Sequence, residues 1–190
     1  MGDKNIWLTS DTHFCHDRAF VYEPRGFKNI EEMNVAIVER WNSVVGPDDI
    51  VYHLGDVMLN DNCRGSELLE ALNGHIIMIR GNHDTDTRIN IYKESHNVDM
   101  CGDWAQVVKW GKFTFYLSHY PTNTSNLEKD APLSQHIINL YGHTHQKGNF
   151  YQDIPYMYHV GMDSHDCYPV SAEQIIEDIK EKVEECKMML

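Results

Sequence analysis

The sequence reads IVYHLGD at residues 50–56 and HIIMIRGNHD at residues 75–84, and these two stretches decide the fold. Each begins with a run of β-prone apolar residues and ends at a glycine followed by a polar side chain. Between them, residues 66–72 are predicted to form a short helix that ends near Gly74. A strand, a helix and a second strand in this order favour parallel pairing with a right-handed crossover.

The same alternation extends toward the amino terminus. Residues 6–9 are a further apolar run and predict a strand that ends at Ser10. Residues 30–45 are predicted to form a helix, with a capping box made by Asn29 and Glu32. Its core-facing residues recur at helical spacing and are Met33, Ile37, Trp41 and Val44. The first half therefore predicts a parallel sheet with helices between its strands.

The second half of the chain is expected to be more antiparallel. Residues 106–110 and 112–117 flank Gly111 as the two strands of a hairpin would. Two more apolar runs predict strands, a polar segment predicts a surface loop, and the last stretch predicts a helix capped by Ser171 and Gln174. The two strands are predicted at residues 137–141 and 156–160, the loop at residues 121–132 and the helix at residues 171–189.

Composition is typical of a globular protein of one domain, which we expect to span residues 1–190. Hydrophobic residues make up 42% of the chain and charged residues 24%, which is enough apolar material for a core without disulfides. The formal net charge is -13, from 16 Lys and Arg against 29 Asp and Glu. This acidic balance argues against binding to long nucleic acids, which depends on basic side chains.

Cysteine use and hydropathy indicate the compartment. The five cysteines are scattered and form no C-x-x-C pair, so we expect reduced thiols and a cytoplasmic protein. The amino-terminal residues lack the basic and apolar regions of a signal peptide. No apolar run approaches the roughly 18 residues needed to span a bilayer, so we expect no membrane partner.

Five polar blocks follow predicted strands, and they carry the chemistry of this sequence. In chain order, they are Asp11 and His13, then Asp56, then Asn82, His83 and Asp84, then His119, and finally His143 and His145. Because the ligand sites of open α/β sheets lie at the carboxyl ends of the strands, we expect these side chains to converge. Carboxylate and imidazole groups together suit Mn, Fe, Zn, Co or Ni better than Ca or Mg.

Each block alone has a simpler explanation. An Asp-x-His triplet is common in proteins, residues 143–145 could carry two surface histidines, and residues 81–84 could form only a turn. The blocks contain no cysteine, which argues against a structural zinc site. Five blocks in one order, each at a strand exit, favour a site for two divalent metals over these separate explanations.

The ordered set resembles the sequence pattern of the calcineurin-like metallophosphoesterases, which is D-x-H, G-D, G-N-H-[DE], an isolated H and G-H-x-H. All five elements occur here between Asp11 and His145, over most of the chain. The resemblance implies an α/β fold in which two mixed β-sheets pack as a sandwich flanked by α-helices. The segments DTHFCHD and WNSVVGPDDIVYHLGD also resemble a small bacterial and phage branch of predicted phosphoesterases.

The resemblance also implies which residues act. One metal would be held by Asp11, His13 and His145. The second would be held by Asn82, His119 and His143. Asp56 would bridge both metals. His83 would be the catalytic histidine, and Asp84 would orient its imidazole.

The implied reaction is hydrolysis of a small phosphate ester, with a phosphodiester favoured, by in-line attack of a hydroxide that bridges the two metals. His83 would assist the leaving group by supplying a proton. Manganese is the expected metal, with Fe, Zn, Ni or Co as alternatives. Two other functions are open: a strict phosphomonoesterase, which uses the same metal core, and a non-catalytic metal-binding scaffold of the same fold. A homodimer is compatible with the resemblance.

Other polar residues are weaker candidates. His16 and Arg18 follow the first block and are candidates for binding the substrate phosphate, although a solvated loop explains them equally well. Arg25 is a weaker candidate still. Three residues that follow a late strand are further candidates for lining the site: His159, Asp163 and His165.

Overall fold

A computed structural model describes residues 4–124, 126 and 131–188, whose strands form two mixed β-sheets. The first sheet contains β1 (Ile6–Thr9), β2 (Ile50–His53), β3 (His75–Ile79), β4 (Val98–Asp103) and β9 (Val170–Ser171). The second contains β5 (Ala105–Trp110), β6 (Phe113–Ser118), β7 (Ile137–Tyr141) and β8 (Met157–His159). The helices are α1 (Ala19–Tyr22), α2 (Ile30–Val44), α3 (Asn62–Glu70), α4 (Asp86–Glu94) and α5 (Ala172–Met188). The predicted α/β class with two mixed sheets is confirmed.

The first sheet brings three strand ends level with one another. Its order is β4-β3-β2-β1-β9, in which β1 to β4 are parallel and β9 is antiparallel to β1. Ile6 lies opposite Ile50, which in turn lies opposite His75. The loops that follow β1 and β2 are joined by a hydrogen bond of 2.9 Å from the Asp11 amide to the Gly55 carbonyl. The polar blocks after these strands therefore lie side by side.

The second sheet corrects the expectation of a mainly antiparallel second half. Its order is β5-β6-β7-β8, and only β5 and β6 form the antiparallel hairpin predicted around Gly111. The pairs β6–β7 and β7–β8 are parallel. Parallel neighbours need a connection long enough to return the chain to the same end of the sheet. Residues 119–136 and 142–156 provide those connections, so β6 and β7 also end at one edge.

Apolar side chains fill both faces of the first sheet. One cluster lies between this sheet and helices α2, α3 and α4, and it includes Trp41, Val51, Leu69 and Tyr92. A second cluster lies between the two sheets and beneath α5, and it includes Leu8, Leu54, Phe115, Leu140 and Ile175. A parallel sheet that is covered on both faces reads as continuous apolar runs, as the sequence of its strands does.

Most helix boundaries follow the predicted caps. The amide of Glu32 donates to Asn29 Oδ1 at 2.9 Å at the start of α2, and the amide of Gln174 donates to Ser171 Oγ at 3.1 Å at the start of α5. Helix α3 is the exception, since it covers residues 62–70 rather than 66–72. Residue 189 of the predicted last helix, and residues 125 and 127–130 of the predicted surface loop, lie outside the described residues. Among the described helices, none combines the length and the apolar character that crossing a bilayer requires.

Candidate metal centre

The five polar blocks converge where the two sheets meet. The first three blocks follow β1, β2 and β3 of the first sheet, and the last two follow β6 and β7 of the second. The amide of His143 donates to Asp11 Oδ2 at 2.8 Å, which joins a loop of one sheet to a loop of the other. We use "the centre" for the seven predicted ligands together: Asp11, His13, Asp56, Asn82, His119, His143 and His145.

Asp11, His13 and His145 form the first ligand set. Their ligand atoms all lie within 4.8 Å of one another. The two imidazoles approach through their Nε2 atoms, which are 3.1 Å apart. Asp11 Oδ1 lies 3.7 Å from Nε2 of His13 and 3.9 Å from Nε2 of His145. This oxygen is buried and has no hydrogen-bond partner, so it is free to bind a cation between the two rings.

Asn82, His119 and His143 form the second set. The amide oxygen Oδ1 of Asn82 lies 2.8 Å from His119 Nε2 and 2.9 Å from His143 Nδ1. The other ring nitrogen of His119 lies 2.8 Å from the carbonyl oxygen of Leu54. Because a carbonyl accepts only from an N–H, that contact places the proton on Nδ1 and leaves Nε2 as the ligand atom.

Asp56 lies between the two sets. Its Oδ2 atom is 3.4 Å from His119 Nε2, in the second set, and 3.9 Å from His13 Nε2, in the first. Its Oδ1 atom accepts a hydrogen bond of 2.8 Å from the backbone amide of His83. This is the position that a carboxylate shared by two cations requires.

The carboxylates of the centre are buried and call for a compensating cation. Burial raises the pKa of Asp11, and the nearby His119 and His145 do not reverse that shift. Burial also raises the pKa of Asp56, but the hydrogen bond with His119, the charges of His119 and His13 and the amide of His83 together outweigh it and hold that pKa at about 2. Burial lowers the pKa of His119, yet Asp56 and Asp11 outweigh this and raise it to about 9. Buried carboxylates are stable only beside positive charge, which divalent cations supply, so the residues present fit two such ions.

The backbone of the centre is held in an uncommon conformation. Five of the seven ligands have a positive φ: Asp11 (60°), His13 (50°), Asp56 (58°), His143 (68°) and His145 (49°). Non-glycine residues adopt this region rarely, and each instance costs roughly 1–3 kcal/mol. Such strain gathers at functional sites, where the surrounding structure holds the side chains in place.

Two glycines let the strand exits approach closely. A Cβ atom at Gly81 would lie 2.5 Å from the Asp56 amide nitrogen and would overlap the Asp56 carboxylate. A Cβ atom at Gly142 would lie 2.6 Å from Ser10 Cβ and would overlap the Asp11 carboxylate. The glycines of the G-N-H-D and G-H-T-H blocks are therefore required by the packing of the ligand loops against each other.

His83 stands at the open side of the centre. Its side chain is 43% exposed, and its Nε2 atom lies 4.0 Å from Asp56 Oδ2. Its carbonyl oxygen accepts a bond of 2.6 Å from Arg88 Nη1, which fixes the backbone. The imidazole is therefore accessible to a bound ester while its main chain stays in place.

Asp84 holds the loops of Asp56 and Gly81 together. Its carboxylate accepts hydrogen bonds from the amides of Asp56 (2.8 Å), Val57 (3.3 Å) and Gly81 (2.8 Å) and from the hydroxyl of Tyr92 (2.8 Å). The contacts of the described residues include none between this carboxylate and the His83 imidazole. Asp84 therefore orients the loop that carries Asp56, and its role toward the ring of His83 stays a prediction.

His16 lies beside the centre, and Arg18 lies near His16. The His16 ring centroid is 5.2 Å from that of His13 and 6.1 Å from that of His83. Burial lowers the pKa of His16, and the positive charge of Arg18 lowers it further. The His16 ring is thus close to the open side of the centre. For Arg18, a hydrogen bond of 2.7 Å from its amide to the His16 carbonyl places the backbone beside His16.

Arg25 and Asp163 have a larger part in the site than the sequence indicates. Arg25 is fully buried, and its Nη2 atom donates to Asp163 Oδ2 at 2.7 Å and to the Asp11 carbonyl at 2.8 Å. Asp163 Oδ2 also lies 2.8 Å from His145 Nδ1, the nitrogen that does not face the first set. Burial raises the pKa of Asp163, but His145 and Arg25 outweigh it and hold the pKa well below its usual value. Arg25 and Asp163 therefore position the ring of His145 and the backbone of Asp11, which are both predicted ligands.

The two other late candidates do not reach the ligand sets. His165 Nε2 lies 2.9 Å from the carbonyl oxygen of His159. The ring of His159 is buried, and its Nδ1 atom lies 2.8 Å from the hydroxyl of Ser164. Of the three candidates after the late strand, only Asp163 contacts a predicted ligand through its side chain.

Comparison with known proteins gives both a family and a fold. Residues 5–184 match the calcineurin-like phosphoesterase superfamily domain. The chain is 36% identical over 159 residues to an uncharacterized protein of Methanocaldococcus jannaschii, across 83% of this chain and 77% of that protein. It is 27% identical over 190 residues to the gene 66 protein of Mycobacterium phage L5, across 85% of this chain and 87% of that protein. A protein of unknown function from Aquifex aeolicus has the same fold, with a TM-score of 0.70 and 24% identity over 92% of this chain and 99% of that chain.

Proposed function

The chain belongs to the calcineurin-like phosphoesterase superfamily, and from this premise we propose that it hydrolyses phosphate esters, with phosphodiesters favoured, using two divalent metals. The observation that carries the proposal is the pair of ligand sets on either side of Asp56. Two cations held at these sites would acidify water and neutralise the phosphate oxygens, which are the two requirements of phosphoester hydrolysis. Manganese is the metal we propose, since the donors are imidazoles, carboxylates and one amide.

Side chains around the metals would donate a proton, position a ligand and contact the phosphate. His83 is placed to give a proton to the leaving alkoxide, because its ring is exposed beside Asp56. Asp84 holds the backbone of Asp56 and so acts as a positioning residue. His16 and Arg18 are the candidates for contacting the free phosphate oxygens, since the His16 ring lies beside that of His83 and Arg18 follows His16 in the same loop.

Exposure of the centre supports a diester. The side chains of His83 and His145 are 43% and 40% exposed, so a phosphate there could carry an organic group on each side. A strict phosphomonoesterase and a non-catalytic metal-binding scaffold are the alternatives. The net charge of -13 supports a small ester rather than a long nucleic acid as the partner.

The first experiment is the ratio of turnover on bis-p-nitrophenyl phosphate to turnover on p-nitrophenyl phosphate by Mn²⁺-loaded protein. We expect the diester to be hydrolysed faster. A preference for the monoester would make the protein a phosphatase. Absence of turnover on both, with the metals bound, would support the scaffold instead.

Two variants test the assigned roles. Asp56→Ala should lose both metal binding and turnover, because the shared carboxylate is gone. Its control is Asp48→Ala, because Asp48 is exposed and precedes β2, whereas Asp56 follows it. Full activity of Asp56→Ala would refute the scheme.

His83→Ala should keep its metals and lose turnover on the order of 10²–10⁴-fold, the usual contribution of a general acid. Its control is His75→Ala, since His75 is half exposed at the opposite end of β3. Loss of metal from His83→Ala would show that His83 is a ligand. Metal content is measured in every variant by atomic emission.

A further inference from the structure

We propose that Phe20 and Tyr120 form two aromatic contacts, one on each side of the centre, that bind planar ester groups of a phosphodiester substrate. This proposal rests on the proposed function and specifies its substrate class. Both side chains are large and face solvent, with Phe20 72% exposed and Tyr120 44% exposed.

Phe20 lies on the side of the first ligand set. Its ring meets that of His16 edge-on, with centroids 5.7 Å apart and an angle of 90°. His16 in turn contacts the rings of His13 and His83, so one side chain separates Phe20 from both. Helix α1 is anchored by Val21, which is buried in the core, and Phe20 is therefore held in its exposed position.

Tyr120 lies on the side of the second ligand set. Its ring centroid is 4.6 Å from that of His143 and 5.2 Å from that of His119. The Tyr120 carbonyl accepts hydrogen bonds from the hydroxyls of Ser118 (2.8 Å) and Thr122 (3.0 Å). These bonds fix the backbone of Tyr120 directly after the ligand His119.

A ring on each side of a phosphate site suits a diester, which carries two organic groups, better than a monoester, which carries one. Stacking of a planar group on an aromatic side chain improves binding roughly tenfold, and it tolerates many ring structures because every planar ring has a π face. The substrate class is therefore a phosphodiester whose two esterified groups carry planar rings, either aryl groups or nucleobases.

The test compares two diesters with the same leaving group. Bis-p-nitrophenyl phosphate has a ring on both sides, and methyl p-nitrophenyl phosphate has one ring and one methyl group. We expect kcat/KM of the Mn²⁺-loaded wild type to be roughly tenfold higher for the first. In Phe20→Ala and in Tyr120→Ala, kcat/KM for the two-ring diester should fall at least about fivefold with unchanged metal content.

Three matched variants separate stacking from other causes. Tyr120→Phe and Phe20→Tyr keep the rings and should keep kcat/KM. Tyr168→Ala removes an exposed ring that contacts the Arg40 guanidinium and not the centre, so it should change nothing. A loss in Tyr120→Phe as large as in Tyr120→Ala would overturn the proposal, because the hydroxyl would then be responsible. A change of less than about twofold in both alanine variants would also overturn it.

Ligand binding distinguishes failure of this proposal from failure of the proposed function. Phenylphosphonate and methylphosphonate have P–C bonds that phosphoester hydrolysis does not cleave. Calorimetry should show tighter binding of phenylphosphonate to the Mn²⁺-loaded wild type, and Phe20→Ala and Tyr120→Ala should each weaken that preference. If no ester is turned over but the preference is present and sensitive to these variants, the proposed function fails and the aromatic site remains. Equal binding of the two phosphonates by the wild type would overturn the aromatic site.

Discussion

Asp163→Asn is expected to weaken both the fold and metal binding, because Asp163 contacts Arg25 and His145. It removes the negative charge that faces the buried guanidinium of Arg25, at 2.7 Å, and the ring of His145, at 2.8 Å. The side chains of Arg25 and Asp163 are 0% and 4% exposed, so water cannot replace the lost partner. The variant therefore leaves a buried cation without its counter-ion.

The size of the effect follows from that burial. Breaking a buried ion pair by removing one partner costs about 3–5 kcal/mol. For a domain of this length, each kcal/mol lowers the melting temperature by about 2–4 °C. We therefore expect the metal-free variant to melt roughly 6–20 °C below the wild type. Because Asp163 also orients His145, Mn²⁺ affinity should fall by about 10- to 100-fold.

The assay combines thermal unfolding of the metal-free protein, followed by circular dichroism, with calorimetric titration of Mn²⁺. Asp153→Asn is the matched control, since Asp153 forms an ion pair with Lys182 but is 89% exposed, and its melting temperature should not change. Removing both charges, with Arg25→Met and Asp163→Asn together, should give a higher melting temperature than Asp163→Asn alone. A melting temperature of Asp163→Asn within about 2 °C of the wild type would refute the reasoning.

Three further substitutions are predicted. Tyr92→Phe removes the buried hydroxyl that donates to Asp84, and the free energy of unfolding in urea should fall by about 1.5–3 kcal/mol. Gly142→Ala places a methyl group against Asp11, and calorimetry should show Mn²⁺ affinity at least about tenfold weaker. Burial raises the pKa of Asp49, but its hydrogen bonds outweigh this and lower it. The carboxylate then stabilises the fold above its unfolded pKa of about 3.9, so Asp49→Asn should cost more stability near pH 7 than near pH 3.

Each of these expectations has a clear contrary result. An unchanged urea midpoint in Tyr92→Phe would show that Asp84 does not need the hydroxyl as a donor. Wild-type Mn²⁺ affinity in Gly142→Ala would show that the loop moves without disturbing Asp11. If Asp49→Asn lowers the free energy of unfolding equally at both pH values, the charge of the carboxylate does not strengthen its four hydrogen bonds.

Apolar runs were sufficient to predict the strands that matter for the site. The boundaries of β1, β3 and β7 agree with the predicted ones, because buried parallel strands are continuous apolar segments. Helix α4 and strand β4 are not predicted, for two reasons. Helix α4 buries only Ile89 and Tyr92, so its apolar pattern is weak. Strand β4 contains Gly102 at φ 111° and pairs with β3 in a broken register.

Long-range pairing explains what the sequence does not reveal about the site. The predicted ligands can be picked out because each follows a strand that can be recognised, and parallel strands end at one edge. Arg25 lies between α1 and α2, 138 positions from its partner Asp163, and no local pattern connects the two. The resemblance pairs Asp84 with His83, and no local pattern reveals that its carboxylate accepts from the amides of Asp56 and Val57 after β2. Contacts between residues far apart in the chain depend on loop geometry, which the spacing of residues in the sequence does not determine.

The ligands of each set come from both sheets, and this has a mechanical consequence. The first set joins His145, from the second sheet, to Asp11 and His13, from the first. The second set joins Asn82, from the first sheet, to His119 and His143, from the second. A cation in either set would add a cross-link to the hydrogen bond that already joins the loops of Asp11 and His143. Separation of the sheets would then require ligand bonds to break, so the cohesion of the sandwich would depend on the supply of metal as well as on its core.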